Sequence, residues 1–221
     1  MFYFRRSGQS QTDMDILTLT ETLYLQARQV TCLEWLSTVS QVASVYYAQR
    51  NNVLVYPTGI IGVLAAAYLY FFLASPPLYA EGCVHIYYFA MSCYGWWIWT
   101  RKNRQDEWVY PVSAASGKEY AFAVSLWLGA WALLYLALQH LTDSNTPWLD
   151  SLVSSSAVTA MWLMAKRKIE NWSFWILSNL VAIPLHVYKA FYLFALMFVL
   201  FLLMAVNGHL KWKKELTRVT T

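Results

Sequence analysis

Long apolar runs separated by short polar stretches dominate this sequence. A helix needs about 20 mostly apolar residues to cross a bilayer, and fewer where neighbouring helices bury it. Seven segments meet this requirement, and they run over residues 33–48, 53–74, 84–99, 120–141, 148–165, 172–187 and 191–207. The pattern therefore predicts an all-α integral membrane protein with seven transmembrane helices.

Polar side chains are concentrated in the first and fifth of these segments. Both are rich in Ser, Thr and Gln: Ser37, Thr38, Ser40, Gln41 and Ser44 in the first, and Ser151, Ser154, Ser155, Ser156 and Thr159 in the fifth. In lipid, such side chains should turn toward other helices or a water-filled path. We expect Gln41, Ser155 and Thr159 to line that path.

The two ends of the chain differ from the apolar middle. Residues 1–32 form an N-terminal tail, in which the mildly amphipathic stretch 14–30 is expected to lie along the membrane interface. Residues 211–221 are predicted to form a basic cytoplasmic tail.

Composition and charge support a membrane protein and give it an orientation. Of the 221 residues, 58% are hydrophobic and 13% charged, whereas a soluble domain carries about 25% charged residues. The net charge of +4 is not a nucleic-acid signal, because the basic residues flank apolar segments. With seven spans, four of the 16 Lys and Arg residues fall on one side, which leaves 12 on the other. The positive-inside rule then places the N-terminus outside and the C-terminus inside.

Spans one to three resemble spans five to seven. Residues 48–50 (Ala-Gln-Arg) and 165–167 (Ala-Lys-Arg) each precede an apolar span with an aromatic residue, Tyr56 in one and Trp175 in the other. The third and seventh spans end with Gly four residues before Trp, at residues 95–99 and 208–212. This predicts two parallel three-helix repeats, 33–100 and 148–210, joined by a loop and linker helix at 101–147. Such repeats place a substrate site near the midplane between them.

Recognisable catalytic signatures are missing from the sequence. There is no Gly-rich phosphate loop, no His/Cys metal spacing and no pair of carboxylates inside a span. We therefore expect neither an enzyme nor a cofactor or metal. Carriers driven by protons or sodium often hold an intramembrane Asp or Glu, so its absence favours passive passage.

Trp172, Trp175 and Asn179 stand at i, i+3 and i+7 of the sixth segment and share one helix face. Two indoles and an amide could clamp a flat heterocycle and hydrogen-bond its polar edge. A cationic ring would gain a further ~0.5–2 kcal/mol from the indole faces. Alternatively, the indoles anchor the helix at the interface and Asn179 makes a helix–helix contact.

Residues 163–212 resemble the C-terminal half of the PnuC-type transporters, the nicotinamide riboside permease family. The matching residues are 164–172 (Met-Ala-Lys-Arg-Lys-Ile-Glu-Asn-Trp), Trp175, Asn179, 188–193 (Tyr-Lys-Ala-Phe-Tyr-Leu), Gly208 and Trp212. The first half agrees at Pro57, 59–62, 78–80 and 94–99. The resemblance covers about residues 33–214.

This resemblance implies a SWEET-like 3+1+3 arrangement of seven helices in a bacterial cytoplasmic membrane. It also implies facilitated diffusion of an unphosphorylated vitamin precursor, which a cytoplasmic kinase then traps as a phosphate. Trp172, Trp175 and Asn179 match the family's Trp-x-x-Trp-x-x-x-Asn substrate motif, which favours substrate binding over the anchoring alternative. Family precedent further implies a homotrimer.

The substrate is less well defined than the fold. His85 and Ser92 stand where riboside carriers of the family are expected to have glutamines, and they join the candidate substrate-binding residues. The predicted substrate is nicotinamide riboside. The alternative is thiamine, which also has a cationic ring, or a different nucleoside-like vitamin. A membrane scaffold or sensor that transports nothing is the alternative from a different functional class.

Overall fold

The computed structural model describes residues 16–74, 79–102, 110–142 and 144–220, and the regular secondary structure of this part is helical apart from isolated β-bridges such as Ser113–Lys168. Its helices are α1 (Ile16–Gln29), α2 (Cys32–Gln49), α3 (Val55–Tyr68), α4 (Tyr79–Trp99), α5 (Gly117–Leu141), α6 (Pro147–Ala165), α7 (Asn171–Tyr188) and α8 (Tyr192–Thr220). A π-helical turn, Leu69–Leu73, extends α3. The predicted all-α class is confirmed for the described residues, and each predicted apolar segment overlaps one of the helices α2–α8.

Two predicted boundaries are wrong. Helix α4 begins at Tyr79 rather than at residue 84, and α8 continues to Thr220 instead of ending at Asn207. The expected basic tail is thus helical through Thr220. Lys and Glu are good helix formers, so the helix continues where the apolar pattern stops.

Among the described residues, three helical stretches are long and apolar enough to cross a membrane by length and composition: Val55–Leu73, Gly117–Leu141 and Tyr192–Thr217. Polar side chains are instead frequent in α6, where Ser151, Ser155, Ser156 and Thr159 are all fully buried. Helix α5 shows the opposite pattern, because only Ala123 and Leu138 of its side chains are buried. Most of its surface is therefore left for lipid.

Helix α1 packs against α8. The side-chain amide of Gln26 donates to the Ala190 carbonyl (2.8 Å), and its oxygen accepts from the Leu193 N–H (3.1 Å). These bonds hold α1 to the turn between α7 and α8. The expected interfacial stretch 14–30 thus contains a helix, although residues 14 and 15 lie outside the described part.

The remaining helices pack as two sets of three, and α5 connects the two sets along the chain. In the first helix set, α2 packs on α3 and α3 on α4; in the second helix set, α6 packs on α7 and α7 on α8. Helix α5 packs on α6. The sets meet twice, α4 against α6 and α2 against α8, so each time the third helix of one set contacts the first helix of the other.

The turns that follow α2 and α6 share the same backbone hydrogen bonds, 116 positions apart. The Asn51 N–H donates to the Ala48 carbonyl (3.0 Å), and the Arg167 N–H donates to the Met164 carbonyl (2.9 Å). Both donors have positive φ, 50° and 53°. This register aligns Tyr56 with Trp172, one helical turn earlier than the Trp175 that the sequence pattern suggested.

A tryptophan near the end of each third helix binds the end of the other set's first helix. The Trp212 indole N–H donates to the Ala48 carbonyl (3.0 Å). The Trp99 indole N–H lies 3.3 Å and 3.2 Å from the carbonyl oxygens of Met164 and Ala165. The Ala48 and Met164 carbonyls also accept backbone N–H groups of the turns that follow their helices, so each indole is an additional donor that ties the end of one set's first helix to the other set.

Glycines four residues before these tryptophans allow close ring packing. A Cβ at Gly208 would lie 2.5 Å from the Trp172 ring, and one at Gly95 would lie even closer to the Tyr56 ring. Neither contact leaves room for a methyl group. The Gly-x-x-x-Trp pattern therefore places an aromatic ring of the second helix against the third helix in both sets.

We predict that Gly208→Ala destabilises the protein by ~1–3 kcal/mol, because the added methyl overpacks the site against Trp172. Gly129→Ala is the matched control, since a Cβ there meets nothing within 4 Å. Removing a helical glycine at that position should be neutral or stabilising by up to ~1 kcal/mol. Thermal denaturation midpoints in detergent measure both, and equal midpoints for the two variants would contradict the packing argument.

Candidate functional site

Four buried aromatic residues form an aromatic core where the two helix sets meet: Tyr56, Trp99, Trp172 and Trp212. Ring centroids lie 5.1 Å apart for Tyr56–Trp99, 6.0 Å for Trp99–Trp212 and 5.5 Å for Trp172–Trp212. The predicted site residue Trp172 belongs to this core, and only 1% of it is exposed. Its ring contacts Trp212 and Gly208, so the contacts of Trp172 in this structure are packing contacts within the protein.

Trp175 and Asn179 follow Trp172 along α7. Trp175 is partly buried and packs against the aromatic core. Its indole N–H is shielded from solvent and, like that of Trp172, has no hydrogen-bond partner among the described residues. Asn179 is 4% exposed. Buried indole N–H groups normally find a partner, so α7 carries donors that packing leaves unused.

Helix α6 presents a fully buried stripe of hydroxyl groups, Ser151, Ser155 and Thr159, at i, i+4 and i+8. The Ser151 hydroxyl donates to the Trp148 carbonyl (2.9 Å), and the Ser155 hydroxyl donates to the Leu152 carbonyl (3.2 Å). The Thr159 hydroxyl has no partner in the described part of the chain. The stripe can therefore accept hydrogen bonds from an additional molecule.

A direct bond joins α6 to α7 beside these groups. The Ser178 hydroxyl donates to the Val153 carbonyl (2.9 Å). Ser178 precedes Asn179 in the chain, so the amide and the hydroxyl stripe lie on two helices that pack together. The structure thus places Trp175, Asn179, Ser155 and Thr159 on neighbouring elements of the second helix set.

Gln41 and Ser92 serve the packing of the first helix set. The Gln41 side-chain amide donates to the Ser37 hydroxyl (2.9 Å), which donates to the Gly62 carbonyl (3.0 Å). Ser92 is 1% exposed, and its hydroxyl would lie 3.9 Å from a Cβ at Gly59. Both side chains therefore contribute to close contacts around α3.

His85 lies among aromatic rings near the start of α4. Its ring centroid is 5.0 Å from that of Tyr70 and 5.5 Å from that of Tyr88. Its Nδ1 is 2.9 Å from the Glu81 carbonyl oxygen. These contacts come from α4 and the end of the α3 extension, so His85 belongs to a different region from the aromatic core.

Arg167 is a residue that the sequence analysis did not single out. It is 1% exposed, and its guanidinium lies 4.3 Å above the Trp99 ring and donates to the Tyr110 carbonyl (2.9 Å). Burial lowers the pKa of Arg167 to about 10, while Tyr56 and Glu215 act in the opposite direction. The side chain is still charged at neutral pH. In the sequence it looked like an ordinary loop cation.

Two cavities lie at the Lys- and Arg-rich end of the bundle. One of about 280 Å³ is lined by Tyr94, Ile98, Tyr110, Pro111, Ser113, Glu119, Lys166 and Lys168, and one of about 520 Å³ by Gln49, Arg50, Lys211, Lys214 and Glu215. Trp172, Trp175 and Asn179 line neither cavity.

Removing a hydroxyl group of α6 should lower stability only where that hydroxyl makes a hydrogen bond to another helix. We predict that Thr159→Val leaves the thermal denaturation midpoint unchanged or slightly raised, because this hydroxyl has no partner to lose. Ser156→Ala should cost about 1 kcal/mol, because the Ser156 oxygen accepts the Trp127 indole N–H (3.0 Å). A larger loss of stability for Thr159→Val than for Ser156→Ala would show that the Thr159 hydroxyl is bonded.

Comparison with known proteins matches residues 31–214 to the family described as nicotinamide mononucleotide transporter. The nicotinamide riboside transporter PnuC of Escherichia coli is 23% identical over 207 residues, covering 81% of this chain and 85% of the relative. The riboflavin/roseoflavin transporter RibM of Streptomyces davaonensis is 25% identical over 125 residues, covering 56% and 59%. A crystal structure of the vitamin B3 transporter PnuC has the same fold, with a TM-score of 0.68, 23% identity and 91% of each chain covered. The chain belongs to the nicotinamide mononucleotide transporter family and is a multi-pass membrane transporter rather than an enzyme.

Proposed function

We propose that this protein carries nicotinamide riboside across the inner membrane by facilitated diffusion. The observation that carries the proposal is the Trp175 indole N–H on α7, which has no hydrogen-bond partner among the described residues and belongs to a helix that packs on α6, the helix of the buried hydroxyl stripe. A family relative is named for nicotinamide riboside and another for riboflavin and roseoflavin. All of these molecules contain a flat heterocycle that an indole can stack on.

The binding mode follows from the chemistry of the riboside. Trp175 stacks on the pyridinium ring, which an indole face attracts by ~0.5–2 kcal/mol. Asn179 bonds to the carboxamide or to a ribose hydroxyl, since an amide offers both donors and an acceptor. Ser155 and Thr159 take the remaining ribose hydroxyls. Trp172 supports Trp175 from the aromatic core. Gln41, Ser92 and His85 act indirectly, by shaping the first helix set.

The transport cycle uses the two helix sets as parallel three-helix repeats joined by α5, with seven helices crossing the membrane. The matched turns after α2 and α6 and the reciprocal tryptophan contacts support this 3+1+3 arrangement. Rocking of one set against the other would expose the substrate alternately to the two sides. A homotrimer is the assembly that we expect for the protein.

Passive transport fits the acidic residues of the helices. Asp150 in the first turn of α6 is paired with Lys189 (2.6 Å), and a compensated carboxylate of this kind is poorly placed to drive transport with a proton. Net uptake then comes from a cytoplasmic kinase that phosphorylates the riboside and keeps it inside.

The distribution of basic residues supports a cytoplasmic C-terminus. Lys211, Lys213 and Lys214 on α8 and Lys166 after α6 stand at one end of the bundle, and positive residues favour the cytoplasmic side. A C-terminal tag that external protease removes from intact spheroplasts would contradict this orientation.

We predict that the purified protein binds nicotinamide riboside, and that Trp175→Ala weakens binding about two- to thirtyfold through loss of a stacking contact worth ~0.5–2 kcal/mol. Asn179→Ala should also weaken it, through loss of a buried hydrogen bond worth ~0.5–1.5 kcal/mol. Trp97→Ala is the matched control, because Trp97 is 52% exposed on the outer surface of α4. Isothermal titration calorimetry in detergent measures all three variants.

The same titration separates the alternatives. Thiamine, which is also a cationic ring, would replace the riboside as the substrate if it bound selectively and lost affinity in Trp175→Ala. Uridine serves as the neutral nucleoside. If the folded protein binds none of these ligands, the carrier assignment fails for this group and a scaffold or sensor role takes its place.

Transport without an ion gradient is a second expected outcome. Proteoliposomes should equilibrate labelled riboside in the absence of any sodium or proton gradient, without concentrating it. Enclosing a riboside kinase with ATP should produce accumulation as the phosphate. Concentration of the unmodified riboside by an imposed gradient would show that the protein is an active transporter instead.

A further inference from the structure

The cavity between the C-terminal ends of α2 and α8 is strongly basic. Arg50, Lys211 and Lys214 supply three cations, and Glu215 is the one acidic residue of its lining. The Glu215 carboxylate accepts from the Asn51 side-chain amide (2.8 Å), which holds it toward the turn after α2. The cavity therefore has more positive than negative charge within about 520 Å³.

Gln49 is an ordered polar wall of this cavity. It is 4% exposed, and its side-chain oxygen accepts from the Asn207 amide (3.0 Å) and from the Lys211 ammonium (3.4 Å). These two bonds use the oxygen of the Gln49 amide and do not involve its NH₂ group. An amide donor and three cations around one space are groups that can bind a phosphate.

The other cavity at this end of the bundle has a smaller charge excess, with two cations and one carboxylate in its lining. Its Lys168 forms an ion pair with Glu119 (3.0 Å), and Lys166 lies over the Trp162 ring (4.5 Å). The electrostatic case for an anion is therefore stronger at the α2–α8 cavity.

The position of the α2–α8 cavity identifies the source of the phosphate. Arg50 stacks on Tyr46 (4.3 Å), which is 41% exposed, and Arg101 stacks on the exposed Trp97 (3.9 Å). Exposed aromatic rings paired with cations mark the level of the lipid headgroups. Basic pockets between membrane helices at this level bind the headgroups of anionic lipids.

We propose that the α2–α8 cavity is a binding site for the phosphate of an anionic phospholipid. Gln49 and Arg50 at the end of α2 hold the headgroup from the first helix set, and Lys211 and Lys214 hold it from the second. The site lies beside the Trp212–Ala48 hydrogen bond, so a bound lipid strengthens the α2–α8 contact between the two sets.

The test uses the full chain in neutral detergent with dioleoylphosphatidylglycerol, dioleoylphosphatidylcholine or inorganic phosphate, and native mass spectrometry counts the bound molecules. The variant Arg50→Gln/Lys214→Gln removes two cations of the cavity. The variant Lys118→Gln/Lys213→Gln removes two exposed cations outside it and is charge-matched. At about fivefold in affinity for each cation near a headgroup, the cavity variant should bind phosphatidylglycerol about 25-fold more weakly.

Selective retention of phosphatidylglycerol over phosphatidylcholine that persists in the control variant and is lost in the cavity variant is the expected result. Equal loss in both variants would mean unspecific attraction and overturn the site. Saturation by millimolar inorganic phosphate that displaces the lipid would assign the cavity to free phosphate and overturn the lipid. Unchanged gel-filtration profiles and riboside titrations in both variants show that the variants are folded, and keep this result separate from the transport proposal.

Discussion

Each helix set donates an indole hydrogen bond to the C-terminal end of the other set's first helix. Trp212 donates to the Ala48 carbonyl of α2, and Trp99 donates to the last carbonyls of α6. Ala48 and Met164 also accept backbone N–H groups of their own turns, so the indoles are second donors, each worth about 0.5–1.5 kcal/mol. Because both bonds cross between the sets, they hold the sets together, and the aromatic core is built around them.

This constraint explains why the two tryptophans of α7 have different roles. Trp172 occupies the position that Tyr56 has in the first helix set, against the glycine of the third helix. Its ring is needed for that contact. Trp175 lies next to the core without being enclosed by it, which leaves its indole available to a ligand. Trp172 and Tyr56 thus fill equivalent packing positions, and the proposed substrate contact belongs to Trp175 alone of the two tryptophans.

The end of the bundle that holds the reciprocal tryptophan bonds also holds most of its fixed charge. Arg167 is buried against Trp99, and the α2–α8 cavity lies beside Trp212. Movement of one set against the other must therefore disturb hydrogen bonds, ring contacts and cations together. A lipid headgroup across α2 and α8 would add to the interactions that hold the sets together, and membrane composition would thereby influence the carrier.

The sequence alone determined the helical class, the helix-forming segments, the similarity of the two halves and the family. These features depend on local composition and spacing. An apolar run predicts a helix whatever that helix packs against, and the Gly-x-x-x-Trp spacing can be read directly from the sequence. Only the tertiary structure decided that the halves align Tyr56 with Trp172, that Gln41 and His85 contact their own set, and that Arg167 is buried. A register between helices, and the partner of a side chain, depend on which residues from distant segments meet, and periodicity along one segment contains no information about that.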